Sequence, residues 1–223
     1  MSSIPLPKIL QRLKGHGFKN RLLHPHDELW DRLLGVHTFG FKGAVGNPSD
    51  ADWRGGYVPI SYRHAFQVLK HAKLGPDDVF VDLGSGLGRA VFAASHMGAK
   101  LAVGVEIDAE LCRNSVATLG ESRLSKHKVA FVCSGAESYV FDECTVLFIF
   151  NSFGIGTMRT VIANIEASLL RNSRDIRIIY FNPSFLAPLE ESQLLEQFDF
   201  WPEIVGKRYA VSFWRPTTVV TAD

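Results

Sequence analysis

Asp82, Gly84, Ser85, Gly86 and Gly88 fall within one short stretch, and Glu106 lies 22 residues beyond Gly84. Asp82 ends the apolar run Val79-Phe80-Val81, and the glycines follow at every second position. The third glycine comes one residue too early for the Gly-x-Gly-x-x-Gly turn that seats a pyrophosphate on a helix N-terminus. A carboxylate two residues ahead of the first glycine would repel a diphosphate. It would suit a ligand with a cationic end, and the glycines would then serve close backbone approach. Glu106 ends a second apolar run, Leu101 to Val105, where an acidic side chain is placed to hold ribose hydroxyls.

Asp82-Leu83-Gly84-Ser85-Gly86-Leu87-Gly88-Arg89 resembles motif I of the class I S-adenosylmethionine (SAM)-dependent methyltransferases. It is also similar to the same stretch of the non-SET histone-lysine methyltransferases. The resemblance implies a SAM pocket built from Asp82, Gly84, Ser85, Gly86, Gly88, Glu106 and Ile107, with Glu106 on the ribose. The family usually places an Asp in the turn after the third strand to meet the adenine amino group. This chain has Ser134-Gly135-Ala136-Glu137 there, so Ser134 and the backbone of Ala136 are the nearest substitutes, and Glu137 is an alternative.

Thr145 to Phe150 is a further apolar run, ending in Asn151-Ser152-Phe153-Gly154. Ligands in such sheets bind at the carboxyl ends of the strands. The tetrapeptide partly resembles the Asn-Pro-Pro-Tyr motif of enzymes that methylate amino groups. The resemblance implies that Asn151 orients the acceptor and also borders the cofactor. Tyr57, in a segment that in this superfamily folds over the methionine end of SAM, is the second candidate at the reacting centre. Asn182-Pro183-Ser184-Phe185 is another polar and aromatic strand end, but it follows the wrong strand for that motif.

The elements that must position these residues read as strand and helix in alternation. Strands are expected at 79–81, 101–106, 128–133, 145–150 and 176–181. Helices are expected from Ala90, from Asp108 as N-cap to about Leu119, and over 156–171. Ser61 is placed to cap a helix whose apolar face is Ala65, Phe66, Val68 and Leu69. Pro188 to Phe198 reads as helix, followed by strands near 199–206 and 208–215 joined at Gly206-Lys207. The expected fold is α/β: a Rossmann-like, doubly wound seven-stranded sheet, mostly parallel, with an antiparallel C-terminal hairpin strand. Residues 61–223 form this core, and 1–60 an N-terminal helical extension that caps it or selects substrate. Within the extension, apolar spacing predicts helices over 4–14 and 27–34, the second with Leu29, Trp30, Leu33 and Leu34 on one face.

The chain has 223 residues, 46% hydrophobic and 21% charged, with a formal net charge of +1. That balance argues against a strongly electrostatic nucleic-acid binder. No apolar run approaches the ~20 residues that span a bilayer, so no membrane partner is expected. Lys8, Arg12, Lys14, Lys19 and Arg21 make the start of the chain basic, a patch suited to an anionic partner. Cys112, Cys133 and Cys144 form no Cys-x-x-Cys pair, so reduced thiols, a cytoplasmic location and no metal site are expected. His37, His64, His71 and His96 are scattered, and no general base is assigned. The function expected is SAM-dependent methyl transfer to an amine nitrogen of a small molecule, a protein lysine or a nucleobase. The rival readings are a non-catalytic SAM- or nucleotide-binding module and an NAD(P)-dependent reductase. The glycine spacing and Asp82 disfavour the reductase.

Overall fold

The computed structural model describes residues 25–47, 50, 53–204 and 209–217. In chain order its elements are α1 (Pro25–Leu34), α2 (Tyr62–His71), β1 (Val79–Leu83), α3 (Arg89–His96), β2 (Leu101–Val105) and α4 (Ala109–Glu121). There follow β3 (Val129–Val132), β4 (Val146–Phe150), α5 (Ile155–Arg171), β5 (Arg177–Phe181), α6 (Ala187–Glu190), β6 (Leu195–Trp201) and β7 (Val211–Pro216). The strands form one sheet in the order β3-β2-β1-β4-β5-β7-β6. β1 to β5 are parallel, and β7 runs antiparallel to both β5 and β6. The strand order reverses between β1 and β4, which opens a crevice at their carboxyl ends.

Alternation along the strands divides the core in two. Phe80, Ala102, Phe148, Ile179, Phe181 and Phe213 pack on one face, under α2 and α3. Val81, Leu83, Val103, Val105, Leu147 and Ile149 pack on the other, against α5. All five residues of β1 are buried, including Asp82, the last but one, so its carboxylate starts from inside the protein. Ser61 caps α2 by accepting from the His64 N–H at 3.2 Å, and Ala65, Val68 and Leu69 are buried as their spacing requires.

The C-terminal region departs from the sequence reading. The helix expected over Pro188–Phe198 is a single turn, α6, and the chain is already in β6 at Leu195. Glu166 takes the Ser192 hydroxyl, which itself accepts from the Leu194 N–H, so the turn closes at once. Strand pairing then prevails over the local pattern, because Phe198 and Trp201 both pack on Phe213 of β7. The two last strands therefore stand at 195–201 and 211–216 rather than 199–206 and 208–215. The junction at Gly206-Lys207 lies outside the described residues, as do the 4–14 helix and the basic stretch from Lys8 to Arg21.

α1 also differs in its buried face. Leu29 and Leu33 are half-exposed, whereas Asp27, Asp31 and Leu34 are buried. The helix turns carboxylates inward because a buried cation, Arg89, waits there. Leu34→Ala should cost about 2–4 kcal/mol of stability, and Leu33→Ala no more than about 0.5 kcal/mol, in urea unfolding. Equal losses would mean that the apolar stripe, not the acidic one, faces the core.

The cysteines are not all reduced. Cys112 of α4 and Cys133, just past β3, form a disulfide across a Cα–Cα distance of 5.7 Å, while Cys144 is free and buried. The two fall together because α4 packs beside the strand that it precedes, a proximity that chain spacing does not reveal.

Candidate active site

One cavity opens at the carboxyl ends of β1, β2 and β4. Of the residues singled out from sequence, Tyr57, Asp82, Gly84, Ser85, Glu106, Ile107, Ser134 and Ala136 line it. Gly86, Gly88 and Asn151 are not among the lining residues. The glycine turn owes its shape to the carboxyl end of β2. Gly84 and Ser85 donate their N–H groups to the Val105 carbonyl at 2.8 and 3.1 Å, and Gly86 donates to Glu106 Oε2 at 2.7 Å. Gly84, Gly86 and Gly88 all have positive φ, at 76°, 57° and 83°. Gly86 lies under the Tyr57 ring, and Gly88, the N-cap of α3, packs on Phe131.

The floor of the cavity is negative. Asp82 is 4% exposed, and its carboxylate has no hydrogen bond or ion pair to another described residue. Burial, aided by the neighbouring Glu106 charge, pushes its carboxyl well above the usual carboxylate range. Glu106 is raised mainly by burial, against the pull of the N–H groups that its oxygens accept, from Gly86 and, at 2.8 Å on Oε1, from Asp108. A cation beside Asp82 would relieve both. At the mouth, Lys42 bridges Asp108 and Glu110 and holds the Asp108 carboxyl below its ordinary value.

Asn151 leaves β4 with φ 43°, and its Oδ1 is buried without a partner, so it does not serve to satisfy the strand end. The loop that it begins is zipped to the N-terminal segment. Gly55 donates to the Ser152 carbonyl at 2.9 Å, and Gly154 to the Trp53 carbonyl at 2.7 Å. A Cβ at Gly55 would stand 2.6 Å from the Asn151 carbonyl oxygen, which keeps the two backbones this close. Ser134 and Ala136 border the cavity beside Glu137, whose carboxylate folds back over Gly135.

Sequence reasoning passed over Arg89, which also borders the cavity. Its signal was present: a cation at a helix N-terminus opposes the macrodipole unless buried carboxylates hold it. Asp27 and Asp31, like charges one turn apart on α1, are the complementary signal.

These residues fit SAM: an unpartnered carboxylate for its amino group, a second acidic side chain on the neighbouring strand for its ribose, and glycines that let the backbone approach. Sheet order and pocket together define a class I SAM-dependent methyltransferase. More narrowly, the chain belongs to the family described as histone methylation protein DOT1, whose model matches residues 56–184. It is 33% identical over 87 residues to the H3 lysine-79-specific histone-lysine N-methyltransferase of Cryptococcus neoformans, across 37% of this chain and 14% of that protein. It is 41% identical over 64 residues to a protein-lysine N-methyltransferase of Saccharolobus islandicus, across 28% of this chain and 40% of that one. The matches thus span less than half the length of either relative. A Salinibacter ruber RNA methyltransferase, solved with S-adenosylhomocysteine, shares the fold with a TM-score of 0.56 at 22% identity, over 74% of this chain and 98% of that one.

Glu106→Ala should weaken SAM binding by about 1–3 kcal/mol in titration calorimetry, the scale of charge-assisted hydrogen bonds. An unchanged affinity would place the ribose elsewhere.

Proposed function

We propose that this protein transfers the methyl group of SAM to the side-chain amine of a protein lysine. The observation that carries the cofactor half is the buried, unpartnered Asp82 carboxylate on the cavity floor. The acceptor half rests on family membership and on the two relatives that are named lysine methyltransferases.

SAM supplies a methyl carbon already activated by its sulfonium, so placing donor and acceptor in line accounts for much of the acceleration. In this scheme Asp82 binds the amino group and Glu106 the ribose hydroxyls. Ile107, Ser134 and Ala136 form the adenine side. Tyr57 covers the methionine end, and Asn151, which begins the loop whose Ser152 and Phe153 line the cavity, is assigned to orient the acceptor nitrogen. Residues 1–60 act as a cap on the core of 61–223. Two observations support the cap: residues 53–55 pair with the Ser152–Gly154 loop, and Tyr57 lies on the glycine turn.

Tritiated SAM incubated with the protein and separate lysate fractions of protein, RNA and metabolites tests the acceptor. Label recovered as Nε-methyllysine after acid hydrolysis of the protein fraction is expected. Label confined to RNA or metabolites would overturn the lysine assignment and leave the cofactor assignment standing. NADH binding without SAM binding would overturn both.

A further inference from the structure

Thr38 is fully buried, and three distant parts of the chain meet on it. Asp31 of α1 accepts from the Thr38 N–H on Oδ2 at 2.8 Å and from its hydroxyl on Oδ1 at 2.7 Å. Arg89, the first residue of α3 after the glycine turn, donates from Nε to Thr38 Oγ1 at 2.7 Å and from Nη2 to the Thr38 carbonyl at 3.3 Å. The Tyr57 hydroxyl donates to that same carbonyl at 2.7 Å.

The Arg89 guanidinium is itself held on every side. It reaches Asp27 and the Ile60 carbonyl, and lies 4.5 Å from the Phe39 ring centroid and 5.3 Å from that of Tyr62. Such a buried ionic network adds little to stability over a well-packed apolar one. It does specify geometry. What it specifies here is Tyr57, because the ring is fixed at both ends: its hydroxyl by the Thr38 carbonyl, and its edge by Gly86, where an added Cβ would come within 2.1 Å of Cδ2.

We infer that Arg89, Thr38 and Asp31 are positioning residues that act through the Thr38 carbonyl to hold the Tyr57 ring over the glycine turn, and so set the affinity for the methionine end of SAM. The inference rests on the SAM reading proposed above. It gives Arg89 a role that the glycines of its own motif do not require. The first residue past the turn reports to the cap, and the cap places the ring back on the turn.

Thr38→Val and Tyr57→Phe test it in the full-length protein. Valine matches threonine in shape but lacks the hydroxyl that joins Arg89 to Asp31. Phenylalanine keeps the Tyr57 ring but frees it from the carbonyl. By titration calorimetry, each should weaken SAM binding about 5- to 20-fold, with the double variant within about twofold of the weaker single, because both break one linkage. Thr38→Ser, which keeps every hydrogen bond, should restore wild-type affinity. Three results would overturn the inference: losses that multiply in the double variant, a Thr38→Val variant that melts earlier but binds SAM normally, or a Thr38→Ser variant as weak as Thr38→Val. Failure of the wild-type protein to bind SAM would instead reject the cofactor reading itself.

Discussion

Asp82→Asn should lower SAM affinity about 100- to 1000-fold while making the ligand-free protein more stable by about 1–3 kcal/mol. Both effects follow from one unpartnered carboxylate. Without ligand, burial disfavours the charge, and the nearby Glu106 adds to the penalty. The folded-state pKa is therefore raised above the unfolded value near 3.8, and the folded protein binds more protons than the unfolded chain between those two values. Ligand-free stability should accordingly fall as pH rises through that window. Asparagine removes the charge and with it the penalty. A bound ammonium group reverses the balance, because it favours the ionised carboxylate, and the variant then leaves that cation unpaired. SAM affinity should thus weaken as pH drops through the raised Asp82 value, and Asp82→Asn should flatten much of that slope. Glu106, also raised, should retain some of it. Thermal melts and calorimetry across a pH series read both halves. A variant that binds SAM normally, or that melts earlier without ligand, would contradict the assignment.

Gly86→Ala should destabilise the protein by about 2–4 kcal/mol and abolish measurable SAM binding. Gly86 sits at φ 57°, in the left-handed region, and its N–H is committed to Glu106 at 2.7 Å. A methyl there would meet the Tyr57 ring at 2.1 Å, so either the ring leaves or the turn shifts off Glu106. Tyr57→Ala added to Gly86→Ala should recover part of the stability, which isolates the clash from the backbone strain. Gly120→Ala is the control. Gly120 lies inside α4 with open space where the methyl would go, and the change should stabilise by up to about 1 kcal/mol. Equal effects at the two glycines in urea unfolding would remove close approach as the reason for Gly86.

Much of the sheet was legible because its inner strands are buried on both faces and read as unbroken apolar runs, as in Val79-Phe80-Val81 and Val146 to Ile149. Asp82 and Glu106 were legible as the polar residues that end such runs, and the structure brings both to one cavity. β6 was not legible. Its sequence, Leu195 to Trp201, owes its strand form to β7, and no local pattern announces a partner that lies further along the chain, with Leu195 opposite Pro216 and Trp201 opposite Val211. Arg89, Asp27 and Asp31 were hidden for the opposite reason. Charged residues on helices usually mark the solvent face, and only their mutual placement shows that they neutralise one another inside. Cys112 and Cys133 likewise needed the packing of α4 to meet.

Asp82 and Glu106 together form the seat of a sulfonium nucleoside, and a crystal structure of the protein with S-adenosylhomocysteine tests that most directly. The account predicts the amino group of the ligand beside the Asp82 carboxylate and its ribose hydroxyls on Glu106. Density for the nucleoside elsewhere, with Asp82 still unpartnered, would contradict it.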